Sequence, residues 1–498
     1  MPAKKTTKKA KGVTSGAKGK KTVKKPAKST AKKKSATGGL VMSPGVLVVN
    51  MIPRSRSGEH NQDSEPNLAV DPAAPLNMVG SAFTPDPGGG PNAPIYFSTD
   101  GGNSWKLNSI VPGNGTFGTG DITVRFSPSH TLYAGILRGD VSLRMNILRT
   151  ASFTSSTPMT VLLSRDNVDQ PYIQAARVTI GAVKKDVVFN GDNDFNSVPK
   201  TATINHTTDA QVAAPVFKTT RIDSRVPSGV DAPSIRPAIH SNGTVYGVFL
   251  HRLSASGSVR RYDVVVVRDD HFGTGAAPFT ALHDPTDALS GRRVALNRLI
   301  PWLMPGLGQE RTGSSLTIAV DPTNSKIVYI AWADRVGTTD YTLHVRVSKD
   351  SGVNWSSDCL TVTNATNPAL AVNSVGKIGF LYQQLTGTTA ATQRWVTHLR
   401  RSTDGISWSD LVLARTSAST PVRTFFPYIG DYNHLLTVGK DFYGIFSASN
   451  FPDPANFPNG VKYQRNANFA THKLFNIDGA TEVPVSIDPF FFKVTELT

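Results

Sequence analysis

The sequence predicts an all-β chain: a seven-bladed β-propeller over residues 41–498, with six or eight blades as alternative counts, behind a disordered basic tail over residues 1–40. Three observations predict it. A strand–turn–strand unit recurs along the chain at intervals of about 50–80 residues. Acids are lopsided, with 31 Asp against five Glu, and the chain holds 42 Gly and 33 Pro. Asp, Gly and Pro favour turns and strand ends, whereas Glu favours helices. Finally, all 14 lysines of residues 1–40 stand without one acid or aromatic among them.

The tail comes first. Lys, Ala, Thr, Ser and Gly cannot bury enough apolar surface to offset the entropy of ordering, so disorder is expected. The formal net charge of +17 belongs mostly to this stretch; without it the body carries a net charge of only +3. A mobile polycation is drawn to nucleic acid or another polyanion by counterion release. With no aromatic to stack and no arginine to read base edges, such binding would be non-specific; a solubilising extension without fixed partner is the alternative.

Residues 40–53, "LVMSPGVLVVNMIP", are the most apolar run. They fall short of the roughly 20 residues a membrane helix needs, and their place after a basic stretch is not that of a secretory signal. The run is read as a strand. No membrane span is expected. With no signal peptide, a cytoplasmic location or a non-classical route of export is expected. The single cysteine, Cys359, permits neither an internal disulfide nor a cysteine zinc site.

The repeat is clearest in two places. "EPNLAVDPAAPLNMVGSAF" leads to "APIYFSTDGGNSW", and "ERTGSSLTIAVDPTNSKIVYIAWAD" leads to "TLHVRVSKDSGVNW". The shared order is acid, short apolar strand, Val-Asp-Pro turn, second strand, loop, third strand and a Ser-x-Asp hairpin. Weaker copies place third-strand ends near Ser98, Arg149, Thr207, Arg268, Ser348, Ser402 and Tyr463. Three or four alternating strands per unit at a fixed period is the pattern of a propeller. Ring closure is expected from pairing of "GVLVVN" at 45–50 with strands of the last unit.

The hairpins are "STDGGNSW" at 98–105, "SKDSGVNW" at 348–355 and the shorter "STDGISW" at 402–408. Ser-x-Asp-x-Gly-x-[Ser/Thr]-Trp is the Asp-box, and from about residue 45 to 490 the chain resembles the BNR/Asp-box superfamily that includes sialidases. In that superfamily the box joins the third and fourth strands of a blade. Its chemistry suits a turn: the carboxylate accepts backbone amides, Gly supplies positive φ, and Trp wedges into packing. Asp100, Asp350 and Asp404 are therefore read as structural, not catalytic.

Strand direction then locates a site. The first strand of a blade runs parallel to the third, so first strands begin on the face opposite the hairpins, beside the central channel. Propellers of this superfamily generally bind ligands there. Residues at first-strand starts are Glu65, Asp121, Asp169, Asp231, Glu310 and, in the last unit, Tyr428 and Asp431. Arg54, Arg56, Arg125, Arg236, Arg311 and Arg423 lie close by, among long Pro- and Gly-rich loops such as 84–94 and 450–460. Such a set suits a polar ligand, a glycan above all. Strand capping and mutual pairing are the alternative roles.

Sialidase-type hydrolysis needs three arginines to clamp a carboxylate, a tyrosine nucleophile assisted by a glutamate, and an aspartate as acid/base. The family's leading arginine motif is not matched, since the nearest string, "SIRPAI" at Arg236, falls mid-chain; Arg125, Arg236 and Arg311 are compatible positions for the clamp, with Glu310, Tyr428 and Asp231 as catalytic candidates. Glu65, Asp121 and Asp169 are further ligand-binding candidates. A two-carboxylate glycosidase built from the ring acids, and a non-catalytic interaction scaffold or exported cargo with a polyanion-binding tail, are the competing readings. "NGDNDFNS" at 190–197 alternates acids like the start of a calcium loop, but lacks the sixth-position Gly and the distal Glu. It is read as an Asp-rich turn, so no metal or other cofactor is expected.

Overall fold

Short alternating strands broken by Asp, Gly and Pro turns fold as antiparallel meanders. One such meander cannot bury both its faces, so each packs on its neighbours. A computed structural model describes residues 40, 42–85, 88–113, 118–139, 143–197, 201–226, 234–256, 259–301, 303–304, 307, 310–311, 315–336, 341–422 and 428–496. The basic tail lies outside the described residues.

Among the described residues there are seven four-stranded antiparallel sheets, with one two-stranded and one three-stranded ladder besides. Blade 1 contains Asn67–Val70, Met78–Ser81, Asn92–Ser98 and Lys106–Pro112, from inside outward. The innermost strands of blades 2–7 are Ile122–Phe126, Val168–Ile180, Arg236–Ile239, Leu316–Asp321, Ala365–Val372 and His434–Val438. Each packs against the innermost strand of the next blade, and that of blade 7 returns to blade 1. The fold is an all-β propeller.

The ring is tied by its ends. Blade 7 runs His434–Val438, Asp441–Ser449, Ile487–Val494, and takes its outer strand, Val46–Asn50, from the start of the body. The register pairs Val46 with Val494 and Asn50 with Phe490.

The third strand of this blade differs from the expectation that it ends near Tyr463. It is Ile487–Val494, whose Phe490, Phe491 and Phe492 are all fully buried. Residues 450–486 are an insertion carrying a small ladder of Asn466–Asn468, Lys473–Phe475 and Glu482–Val483. The stretch around Lys462 looked like a strand because it is extended. It bridges in parallel to Val49, with Lys462 accepting from the Asn50 amide and donating to the Val48 carbonyl, both at 2.9 Å. Its partner is the outer edge of the sheet, which no local pattern reveals.

The three Ser-x-Asp hairpins share one hydrogen-bond plan. In blade 1 the Ser98 hydroxyl donates to Asp100 Oδ1 at 2.8 Å and accepts from the Gly102 amide at 3.0 Å. Asp100 also accepts from the Ser104 amide at 2.9 Å, and the Trp105 indole donates to the Gly102 carbonyl at 3.1 Å. Ser348, Asp350, Gly352, Asn354 and Trp355 repeat these contacts, as do Ser402, Asp404, Gly405, Ser407 and Trp408. Gly102 is required twice over: its φ is +85°, and a Cβ there would stand 2.1 Å from the Phe491 ring.

The hairpins lie at the same end as the turns between first and second strands: the Gly101 amide donates to Leu76 O at 3.0 Å and the Ser351 amide to Lys326 O at 2.9 Å. First strands therefore begin at the other end. No helix among the described residues is long and apolar enough to cross a membrane.

Candidate functional site: the channel throat

The first strands deliver their leading residues to the channel. Asp121, immediately before the blade 2 strand, accepts from the Tyr432 hydroxyl at 3.5 Å, at the limit of a hydrogen bond. Arg236 opens the blade 4 strand and lays its guanidinium 4.4 Å from the ring centre of Tyr172, on the blade 3 strand. Its Nη1 donates to the Ser234 hydroxyl at 2.8 Å. Arg125, on the blade 2 strand, approaches His434 Nε2 at 3.0 Å with Nη2. A guanidinium only donates, so His434 is neutral there and accepts. Tight backbone contact sets the rim: a Cβ on Gly430 would lie 2.5 Å from the Glu65 amide, which brings the turn before Asp431 against Glu65.

Burial and charge shape this group. Desolvation pushes the Tyr432 hydroxyl well above the usual phenol range, and the carboxylates of Asp121, Glu65 and Asp431 push it further. Burial, then Arg125, holds His434 well below the usual imidazole range. Arg125 and Arg236 are lowered by burial, against the favourable field of Tyr172. For Arg236, Tyr432, Asp121 and Asp431 add to that field. Among the described residues, Arg125 Nε and the Asn433 side-chain oxygen are buried without a hydrogen-bond partner. The void bounded by Tyr172, Arg236, Asn367, Asp431, Tyr432 and Asn433 has about 20 Å³ of room for water centres. That is space for one water and none for a sugar ring. A larger ligand has to meet the rim.

The structure thus brings Arg125, Arg236, Asp121 and Glu65 into one region with Asp431. Asp169 is partly buried at the start of the blade 3 strand and accepts from the Gln170 amide at 2.8 Å. Tyr428 is fully buried in the core of blades 5 and 6, its hydroxyl donating to the Pro421 carbonyl at 2.6 Å. Glu310 and Arg311 form a two-residue strand paired with Leu303–Met304, ahead of the innermost strand of blade 5. Asp231 and Arg423 lie outside the described residues. Arg56 pairs with Glu59.

Tyr172, Tyr432 and His434 were missed. The signal was present in "DQPYIQ" and "IGDYNH", the first-strand leads of blades 3 and 7, where a tyrosine stands beside an acid or a proline.

The acid-rich stretch 190–197 is no cation loop. Asp192 and Asp194 lie on the second strand of blade 3, and Arg165 of blade 2 bridges them at 3.4 and 2.7 Å. Thr203 donates to the same Asp192 oxygen as Arg165, and Asn205 donates to the other. Burial pushes Asp192 up to about 7.

No family model and no curated protein matches the chain. Solved structures do. A protein of unknown function from Dyadobacter fermentans aligns over 91% of this chain and 100% of its own, at 9% identity and TM-score 0.43. The α-L-arabinanase of Penicillium chrysogenum aligns over 91% of this chain and 98% of its own, at 12% identity and TM-score 0.38. The endosialidase of phage phi92 aligns over 91% of this chain and 70% of its own, at 12% identity and TM-score 0.38. Likeness at this level assigns no activity, so the site is read from its own geometry.

Proposed function

We propose that the channel face, opposite the Ser-x-Asp hairpins, binds a polar ligand of the glycan class, in a propeller resembling the BNR/Asp-box, sialidase-like group. One observation carries this reading: Arg236 stacked on Tyr172 beside the Tyr432–Asp121 pair, at the point where first strands enter the channel. Arg236 is buried and covers the Tyr172 ring, so a sugar meets this group from the rim, where the half-buried Tyr172, Tyr432 and Asp121 offer phenol and carboxylate groups that donate to and accept from its hydroxyls. A glycan array with the full chain tests it. Retention of a defined glycan set, lost on Arg236→Ala, supports the reading; no retention refutes it.

Hydrolysis of the sialidase type is the second reading. It keeps Arg125, Arg236 and Arg311 as the clamp and Glu310 and Asp231 as catalytic candidates, with Tyr428 as the nominated nucleophile and Tyr432 as a second tyrosine. Binding is favoured over it for a physical reason. An attacking phenolate needs a lowered pKa or an effective base, whereas the surroundings of Tyr432 raise its pKa, and Tyr428 donates to a carbonyl. Release of product from fluorogenic sialosides by the full chain, abolished in Arg236→Ala, would reverse this order.

A further inference from the structure

The propeller fills one inter-blade cleft with its own chain and leaves the matching cleft open. At the junction of blades 7 and 1, residues 460–464 run beside the outer strand Val46–Asn50 and reach the blade 1 hairpin. There Lys462 Nζ donates to the Asn103 carbonyl at 2.7 Å, and Gln464 Oε1 accepts from the Trp105 amide at 2.8 Å. Blades 5 and 6 offer the same two walls: the lead into the outer strand Leu360–Thr363, and the hairpin at 402–408. Between them is a cleft of about 650 Å³, within the range of ligand sites of about 300–1,000 Å³.

Trp355, Cys359 and Ile406 supply its apolar lining. Ile406 takes the hairpin position that Asn103 holds in blade 1 and is 80% exposed. Asp350 and Asp404 line the same cleft. Backbone amides of their own hairpins hold both below the usual carboxylate range, so both are charged. Neither is paired to a cation by any described salt bridge, whereas Asp358, also at the wall, is tied to His344 and Arg346. Lys349 is the one lysine or arginine among the lining residues.

We propose that this cleft docks an extended segment of a partner protein that carries a lysine or arginine, laid in as residues 460–464 lie between blades 7 and 1. The segment's backbone follows the outer edge of blade 5, its apolar side chains meet Trp355 and Ile406, and its cation sits near Asp350 and Asp404. Edge pairing gives affinity and the charge gives selectivity. This surface is separate from the channel face and does not depend on the glycan reading.

A fluorescent peptide copying residues 458–465, Pro-Asn-Gly-Val-Lys-Tyr-Gln-Arg, added in trans to the full chain, is the probe. Anisotropy should show saturable binding, weakened at least tenfold by Ile406→Arg in the protein or by Lys→Glu in the peptide. Lys349→Glu should strengthen it several-fold, a gain that misfolding cannot produce. No saturable binding, equal binding of a scrambled peptide, or indifference to both protein variants would overturn the proposal.

Discussion

Asn50 donates through Nδ2 to Asp488 Oδ2 at 2.7 Å across 438 residues of sequence. This contact joins the outer strand of blade 7 to its third strand, and both side chains are fully buried. Asp488 also accepts from Ser486 at 2.6 Å and Asn450 at 2.8 Å, and pairs with Arg465, which is itself fully buried. Removing the carboxylate strands that guanidinium, and breaking a buried pair from one side costs about 3–5 kcal/mol. Asp488→Ala should lower stability by about that amount in urea unfolding; Asn50→Ala, which removes this bond and the one its Oδ1 accepts from the Ile52 amide at 3.2 Å, should cost about 1–3 kcal/mol.

Gly102→Ala should be among the most damaging surface-hairpin changes. The new methyl meets the Phe491 ring, and the backbone stays at positive φ. The Tm should fall by several degrees in calorimetry, whereas Gly101→Ala, whose Cβ would stand 3.3 Å from a Leu76 methyl, should cost less.

Asp192 makes stability fall with rising pH. Its folded pKa is near 7 against an unfolded value near 4, so the folded protein holds a proton that the unfolded chain has lost between those limits. The stabilisation is full below about pH 4 and gone above about pH 7. Asp192→Asn should flatten the Tm profile across this window, as measured by calorimetry at matched ionic strength.

His344 acts on the alkaline side. Its Nδ1 meets Asp358 at 2.9 Å and its Nε2 meets Asp334 at 3.1 Å, so both nitrogens donate and the ring is an imidazolium stacked on Trp332. Burial opposes the charge, but the two carboxylates outweigh it and raise the pKa. Its stabilisation is present below about pH 6.5 and lost as pH climbs through the raised value. His344→Gln should reduce the loss of Tm between pH 6 and pH 9.

The 14 tail lysines should dominate any polyanion binding. Deleting residues 1–39 should leave the body folded by circular dichroism and weaken retention of duplex DNA by orders of magnitude at low salt, with a much shallower salt dependence. Equal binding by the truncated body would remove the tail from that role.

The fold was legible where chemistry is local. Ser98, Asp100, Gly102 and Trp105 satisfy one another within eight residues, so their spacing alone specifies the hairpin. First-strand acids such as Asp121 and Glu65 followed from strand direction. What depends on distant partners was not legible. Lys462 reads as an interior strand but pairs with a sheet edge, and Tyr432 meets Asp121 from 311 residues away. Tyr428 was nominated by its position near the end of the chain, yet it packs into the core.

The most direct test of the channel assignment is a glycan array read with three forms of the full chain: unsubstituted, Arg236→Ala and Ile406→Arg. A defined glycan set should be held by the unsubstituted chain and by Ile406→Arg and lost by Arg236→Ala. Glycan binding that survives Arg236→Ala and disappears with Ile406→Arg would place the ligand on the hairpin face and contradict it.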